Sequence, residues 1–105
     1  MAIQIGKYNF NGPYPYHPRE GCGGLQALSG VYVALGRAVD GNWHVLDVGE
    51  SGNVWERVKT HDRTPCWIMH AHREIAVAAI YVPEVQRMVI ERELRNQYNP
   101  RCGER

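Results

Sequence analysis

The chain has 105 residues, of which 44% are hydrophobic and 22% are charged, and its formal net charge at pH 7 is +1. This length allows one hydrophobic core and excludes a catalytic domain joined to a separate specificity domain. The small charge excludes a protein that holds nucleic acid by bulk electrostatics, and no apolar run reaches the length of a membrane span.

The first ten residues lack the apolar segment of a secretory signal. Three cysteines, Cys22, Cys66 and Cys102, are odd in number and widely spaced, which is typical of reduced thiols. We therefore expect a cytoplasmic, intracellular protein without disulfide bonds. Cys66, His70 and His72 offer three zinc ligands, but a fourth is missing and the spacing matches no common zinc motif, so we predict no zinc site.

Residues 1–28 are interpreted as an N-terminal extension. Ile3, Ile5, Tyr8 and Phe10 continue one alternating pattern, which predicts an edge strand, and the Asn-Gly-Pro sequence after them predicts a turn-rich loop. Four aromatic residues within nine positions could stack nucleic-acid bases. Aromatic rings of this kind more often pack against the edge of a core, and that is the interpretation we favour.

A β-hairpin is predicted next. Residues 30–35 and 43–48 are rich in β-branched and aromatic side chains, and the Asp-Gly-Asn sequence between them is typical of a turn. If Asp40 pairs with Trp43 across a two-residue turn, directly opposed residues have numbers that sum to about 83. This register places Tyr32 and Asp47 on the same face of the sheet.

The second strand ends in a glycine-rich break, after which a helix is predicted from Asn53 to about Arg63. Asn53 and Glu56 have the spacing of an N-cap and its reciprocal partner. Arg57 and His61 are four residues apart and project from one face of this helix. Thr64 and Pro65 are interpreted as its stop, and the apolar run over residues 75–82 predicts a buried central strand.

A final helix is predicted between Pro83 and Pro100. Its predicted core stripe consists of Val85, Met88, Val89 and Leu94. Glu91 then lies at the edge of the buried face. Considered alone, Glu91 is typical of a solvated helix residue that pairs with Arg87 and Arg95 at four-residue spacing.

The ordered motifs of the chain resemble the GIY-YIG nuclease domain over residues 29–103. The motifs are Gly30-Val31-Tyr32, Asp47-Val48-Gly49, Arg57 eight residues after that glycine, His61 four residues later, Glu91 in the closing helix and Pro100 nine residues beyond it. Each motif alone is common. The ordered set with these spacings is much more specific.

The resemblance implies an α+β fold with a small three-stranded antiparallel sheet flanked by helices, over residues 29–105. It implies a DNA endonuclease in which Glu91 holds one Mg²⁺ or Mn²⁺ ion and Arg57 neutralises charge at the phosphate. Tyr32 or His61 would deprotonate or orient the attacking water. A homodimer or an accessory protein would supply target specificity.

Basic side chains are concentrated in residues 52–73, where they outnumber the acidic ones. We predict one local positive patch there, in which Lys59, Arg63 and Arg73 contact nucleic acid.

Two positions depart from the family pattern. Asp47 stands where the family has tyrosine, and it would act as a substitute base, serve as a second metal ligand, or mark a weakened enzyme. Gly103 stands where the family often has asparagine, which removes a supporting hydrogen bond. The alternative function is therefore a GIY-YIG fold that binds nucleic acid or a protein without cleavage.

Overall fold

A computed structural model describes residues 1–71 and 73–103. The chain forms, in order, β1 (Ala2–Ile5), β2 (Tyr8–Pro15), β3 (Gly30–Arg37), β4 (Trp43–Ser51), α1 (Val54–Lys59), α2 (Thr64–His70), β5 (Ile75–Tyr81) and α3 (Glu84–Tyr98). Across the two described ranges, no helix is both long enough and apolar enough to cross a lipid bilayer.

The five strands form one antiparallel sheet in the order β1-β2-β5-β3-β4. The α+β class is as predicted, and β5 is the buried central strand that its apolar sequence indicated. The expected number of three strands is wrong, because residues 1–28 contribute two more. Gly6, at φ +60°, lies in a two-residue turn that splits the predicted single edge strand into β1 and β2, and β2 pairs with β5.

The helices cover both faces of the sheet. On one face, Val33, Val48 and Ala78 pack with Ile90 and Leu94 of α3. On the other face, α1 and α2 cover a second cluster that contains Tyr32, Val58, Trp67 and Val77, among others. The sheet is thus the middle layer of three.

The pairing of β3 with β4 differs from the prediction. Tyr32 pairs with Gly49 and Ala34 pairs with Asp47, so opposed residues sum to 81, and a bulge follows Ala34. The predicted two-residue turn was wrong, because the connection spans residues 38–42. Tyr32 and Asp47 nevertheless share a face, as predicted, since a shift of two residues preserves the alternation.

The predicted cap of α1 is confirmed: the backbone N–H of Glu56 donates to the Asn53 side chain at 3.1 Å. The predicted stop at Thr64 and Pro65 is wrong. These residues begin α2, where proline in the first turn costs no helical hydrogen bond. As a result, His61 lies in the connection between two short helices and not on the face of one long helix.

The bounds of α3 agree with the prediction, with Pro83 as N-cap and Asn99 as a left-handed C-cap. Its predicted core stripe is wrong for Val85, Met88 and Val89, whose exposed fractions are 76%, 52% and 59%. The residues of α3 that are buried are Ile90 and Leu94.

Arginine side chains explain this orientation of α3. Arg87 donates to Glu50 and Arg95 donates to Asp47, and both carboxylates belong to β4. These two ion pairs fit the orientation of α3 in which Ile90 and Leu94 face the sheet. The contacts that fix the buried face are therefore ionic as well as apolar.

Cysteine pairing also corrects the sequence-based expectation. Cys66 of α2 and Cys102 form a disulfide, with their Cα atoms 5.9 Å apart. Cys22 is a free, buried thiol, and burial raises its pKa to about 11. The disulfide joins α2 to the segment that follows α3. His72, the third residue of the zinc arrangement considered from sequence, lies outside the described residues.

Candidate active site

A cavity of about 280 Å³ opens where α1 and α3 meet strand β4. Tyr32, Arg57 and Glu91, three of the predicted site residues, all line it. They come from three separate elements, β3, α1 and α3. The remaining lining residues are Val48, Gly49, Glu50, Arg63 and Arg95. The cavity therefore combines a phenol, three guanidinium groups and two carboxylates.

Gly49 makes room for Tyr32. The two residues are directly opposed across β3 and β4, and the ring of Tyr32 extends over the glycine. A Cβ atom at position 49 would overlap the hydroxyl group of Tyr32. A glycine in a strand often marks such a close approach, and here it lets the tyrosine reach the cavity.

Tyr32 is hydrogen-bonded to His61. The distance between the Tyr32 hydroxyl oxygen and Nε2 of His61 is 2.6 Å. Nδ1 of His61 accepts the backbone N–H of Arg63 at 3.0 Å, so Nδ1 carries no proton. In a neutral imidazole the proton then resides on Nε2, which donates to the Tyr32 oxygen. The hydroxyl proton of Tyr32 remains available to an acceptor in the cavity.

Both members of this pair are neutral near pH 7. Burial, opposed in part by Arg57 and Arg63, raises the pKa of Tyr32 to about 12. Burial and the same two arginines lower the pKa of His61 to about 4. Neither side chain is thus prepared to remove a proton from water in the free protein. The pair is better suited to fix the orientation of a hydrogen-bond donor.

Asp47 is fully buried and makes three close polar contacts. Its Oδ2 atom accepts from Arg63 Nε at 2.6 Å and from Trp67 Nε1 at 2.9 Å, and its Oδ1 atom accepts from Arg95 Nη2 at 2.9 Å. Arg95 also donates to the carbonyl of Val48. We call Asp47, Arg63, Trp67 and Arg95 the Asp47 cluster.

Asp47 itself lies behind the cavity, because it is not among the residues that line it, whereas Arg63 and Arg95 of the cluster are. Its two oxygens are engaged by three donors. This geometry favours neither of the active roles considered for Asp47, a substitute base or a second metal ligand. It gives the residue a structural role that joins β4, α2 and α3.

Gly103 packs against the Asp47 cluster. Its φ is +107°, a conformation that disfavours side chains, and an added Cβ would crowd Arg95 and lie 2.9 Å from Asp47 Oδ1. Asp47 and Gly103, the two positions at which the sequence departs from the motif pattern that it resembles, therefore lie side by side.

Glu91 is only partly exposed and contacts Arg95, whose Nε donates to Glu91 Oε2 at 3.0 Å. The pairing with Arg95 that helical spacing predicted is therefore present. Arg87 pairs with Glu50 at 2.6 Å and with Glu84 instead. Glu50 and Glu91 both line the cavity, and carboxylate oxygens are the ligands that Mg²⁺ and Mn²⁺ prefer. The cavity thus offers oxygen ligands of the kind that a hard divalent cation takes, and each carboxylate is held by an arginine, Glu50 by Arg87 and Glu91 by Arg95.

The three residues that were predicted to contact nucleic acid lie at different places in the structure. Arg63 lines the cavity, although it also pairs with Asp47. Lys59 lies over the ring of Trp55, 4.8 Å from its centroid. Arg73 lies beside a different cavity, which Pro15 and Ile75 also line. The structure thus brings one of the three predicted contacts to the cavity.

Sequence reasoning missed three contributors, Glu50, Trp67 and Arg95. Arg95 was noticed as a helical partner of Glu91, but its contact with Asp47 joins residues 48 positions apart. Trp67 reaches Asp47 from 20 positions away. The one available signal was the buried position of Asp47 on an alternating strand, since a buried carboxylate requires cationic or hydrogen-bonding partners.

No family model matches this chain, and no curated protein or solved structure matches it either. A function for this chain must therefore rest on its motifs and on the geometry of the cavity.

Proposed function

We propose that this protein is a metal-dependent endonuclease of the GIY-YIG type that hydrolyses DNA phosphodiester bonds. The observation that carries the proposal is that Tyr32, Arg57 and Glu91 line one cavity although they come from three different elements. A phosphodiester resists attack because its negative charge repels nucleophiles. A site for its hydrolysis needs positive charge, a metal-holding carboxylate and a group that orients water.

Arg57 is the residue best placed to contact the scissile phosphate. Its Nη2 atom donates to Asp62 at 2.8 Å, and Asp62 is largely exposed. An exposed ion pair is weak, so the guanidinium can exchange this partner for a phosphate oxygen. Arg63 and Arg95 hold their positions through Asp47 and add positive potential at the cavity wall.

Glu91, with Glu50 beside it, would hold one Mg²⁺ or Mn²⁺ ion. The bound cation would act as a Lewis acid that stabilises the charge on the leaving oxygen. Arg95 contacts one oxygen of Glu91. This contact keeps the carboxylate at the cavity and compensates its charge.

Tyr32 would orient the attacking water or a phosphate oxygen by donating its hydroxyl proton. This role is supported by the neutral state of Tyr32, with its pKa near 12, and by the direction of its hydrogen bond with His61. Between the two roles considered from the sequence, deprotonation and orientation, we therefore propose orientation. His61 then acts as a positioning residue.

Two further parts of the proposal concern setting and partners. We propose a cytoplasmic location, where the protein would meet DNA. We also propose that a second copy of the chain or an accessory protein supplies target specificity, because a domain of this size offers one small contact surface.

A second candidate function is a GIY-YIG fold that binds nucleic acid without cutting it. The observations that favour it are the burial of Asp47 in its ion-pair cluster and the contact of Arg95 with Glu91. In these contacts the carboxylates of Asp47 and Glu91 are neutralised by arginines, so the cavity wall is basic. We rank this second because Arg57 and Glu91 are both at the cavity.

The test is nicking of supercoiled plasmid in the presence of Mn²⁺ by the wild type, Glu91→Gln and Glu93→Gln. Glu93 lies on the same helix but pairs with Tyr8 and Lys7, so it is the matched control. We expect nicking by the wild type and Glu93→Gln, and a loss of at least about a hundredfold in Glu91→Gln. Equal nicking by all three would contradict the assignment of Glu91. An inactive wild type that binds DNA with a strong salt dependence would support the second function instead.

A further inference from the structure

We propose that Cys66, His70 and Cys102 form a zinc site that alternates with the Cys66–Cys102 disulfide. The reduced chain would bind one zinc ion through two thiolates and one imidazole nitrogen, and oxidation of the two sulfurs would release it. The site lies between α2 and the segment after α3, and none of its three residues lines the cavity of the proposed nuclease site.

The three ligand atoms are already close together. The two sulfurs and the nearest imidazole nitrogen all lie within 4.8 Å of one another. In a tetrahedral site two ligands of one zinc ion lie roughly 3.5 to 3.8 Å apart, because zinc binds sulfur at about 2.3 Å and nitrogen at about 2.0 Å. When the disulfide is reduced, a rotation of the Cys66 side chain would open enough space between the sulfurs for the metal.

Helical geometry explains why Cys66 and His70 converge. They are four residues apart in α2 and therefore project from adjacent turns of one face. Cys102 comes from the other side, carried by the chain after α3. A pair from one helix turn plus a ligand from a distant segment is a common way to build a zinc site.

The position of Cys102 does not depend on the disulfide. Its backbone N–H donates to the carbonyl of Leu46 at 3.0 Å, and its own carbonyl accepts from Arg95 at 3.3 Å. On the other side of the site, Trp67 fixes α2 by donating to Asp47. Reduction would therefore leave the backbone of both ligand segments in place, so little ordering beyond the rotation of Cys66 would be needed when zinc binds.

The charges and the surroundings also suit zinc. Two thiolates and a neutral imidazole balance the charge of Zn²⁺, so the filled site would carry no net charge beside a buried residue such as Cys102. His70 lines a cavity of about 420 Å³ that opens to solvent, and Arg101, next to Cys102, lines it as well. A water molecule from this cavity would complete four-coordinate binding.

The exchange between the two states balances in atoms and electrons. A dithiol reductant gives two electrons and two protons to the disulfide, which yields two protein thiols and the oxidised reductant. Zinc then replaces the two thiol protons, which pass to solvent. In the opposite direction, a small disulfide oxidant takes two electrons from the zinc-bound thiolates and two protons from solvent, becomes two thiols, and leaves the protein disulfide and free Zn²⁺.

The test is zinc titration of the full-length chain in competition with a chromophoric chelator. One sample is oxidised and the other is reduced with a phosphine, which is then removed without air. We expect one additional zinc ion per reduced chain. The oxidised sample measures any zinc that the carboxylates of the nuclease cavity take. Equal zinc binding by both samples would overturn the proposal.

Variants assign the ligands. His70→Ala should weaken zinc binding to the reduced chain by at least about tenfold, the lower limit seen when even an indirect partner of a metal is removed. His44→Ala is the matched control, because His44 lines the same cavity but belongs to no metal cluster in the described part of the chain. Unchanged binding in His70→Ala, with an unchanged circular dichroism spectrum, would contradict the assignment of His70.

The cysteines are assigned with Co²⁺, whose thiolate complexes absorb in the near ultraviolet. Reduced Cys22→Ser should keep this charge-transfer absorption, because Cys22 is a free thiol that does not belong to the group of three possible ligands. Reduced Cys66→Ser should lose most of it. The wild type is also measured in its reduced form, so that none of the three samples contains the disulfide. Absorption of equal intensity in both variants would overturn the proposal.

Discussion

The hydroxyl oxygen of Tyr32 lies 2.6 Å from Nε2 of His61, while Nδ1 of the same imidazole accepts the backbone N–H of Arg63. The Arg63 amide therefore selects the tautomer, and the tautomer sets the direction in which Tyr32 donates. The backbone N–H of Arg63 thus controls the orientation of the Tyr32 hydroxyl group at the cavity. This relationship underlies the first two predictions.

Tyr32→Phe should lower plasmid nicking by roughly a hundredfold, because it removes the group that orients the attacking water. Tyr16→Phe is the matched control, since it deletes another buried hydroxyl, one that is bonded to Thr64 at 2.8 Å. Both variants should lose about 1 kcal/mol of unfolding free energy. A steeper rise of the nicking rate with pH in the wild type than in Tyr32→Phe would indicate that Tyr32 acts as a base and would contradict our assignment.

The stability of the protein should fall as the pH decreases through the range in which His61 would normally become charged. The pKa of His61 is about 4 in the folded chain and about 6.5 when unperturbed. Between these values the unfolded chain binds a proton that the folded chain does not, so unfolding is favoured. The free energy of unfolding has its full value above the unperturbed pKa of His61, and it falls by up to about 3 kcal/mol as the pH decreases toward the folded-state pKa.

Urea denaturation at about pH 7 and about pH 4 measures this difference. His61→Asn should remove most of the pH dependence. His44→Gln should retain it, because His44 is mostly exposed. If the pH dependence of stability were the same in both variants, the effect would belong to a group other than His61.

Gly49→Ala should displace the ring of Tyr32 and cost about 1 to 3 kcal/mol, the usual range for overpacking. Gly52→Ala is the matched control, because an added Cβ at position 52 meets no atom within 4 Å. Thermal denaturation of the two variants provides the comparison, and plasmid nicking by Gly49→Ala should fall with its stability. Equal stability of the two variants would mean that the close approach of Tyr32 to β4 is not required.

Asp47→Asn should destabilise the fold by about 3 kcal/mol or more, because it removes the charge that compensates Arg63 and Arg95. Asp62→Asn breaks an ion pair at the surface and should leave stability almost unchanged. Chemical denaturation of both variants tests the contrast. If Asp47→Asn were as stable as the wild type, the Asp47 cluster would not be what holds α2 and α3 to β4.

Local signals in the sequence predicted the elements that depend on local interactions. The cap at Asn53 needs a partner only three residues away, and the limits of α3 depend on Pro83 and on the residues before Pro100. The central position of β5 followed from its continuous apolar run, which requires cover on both faces.

Contacts between distant parts of the chain account for the errors. The pairing of Asn11 with Ala79 joins β2 to the central strand across most of the sequence, and a local sequence pattern cannot predict such a pairing. The buried face of α3 was misassigned because Arg95 and Arg87 orient the helix through carboxylates of β4. At the candidate site, Tyr32, Arg57 and Glu91 were predicted together only because the ordered motifs resembled a known family.

The Asp47 cluster also restricts how this position can evolve. A tyrosine at position 47 would leave the guanidinium groups of Arg63 and Arg95 without their carboxylate, and its larger ring would have to fit a fully buried position. Replacing Asp47 by tyrosine is therefore unfavourable unless both arginines change as well. This is epistasis among residues far apart in sequence, so relatives of this chain should carry aspartate and the two arginines as one inherited set.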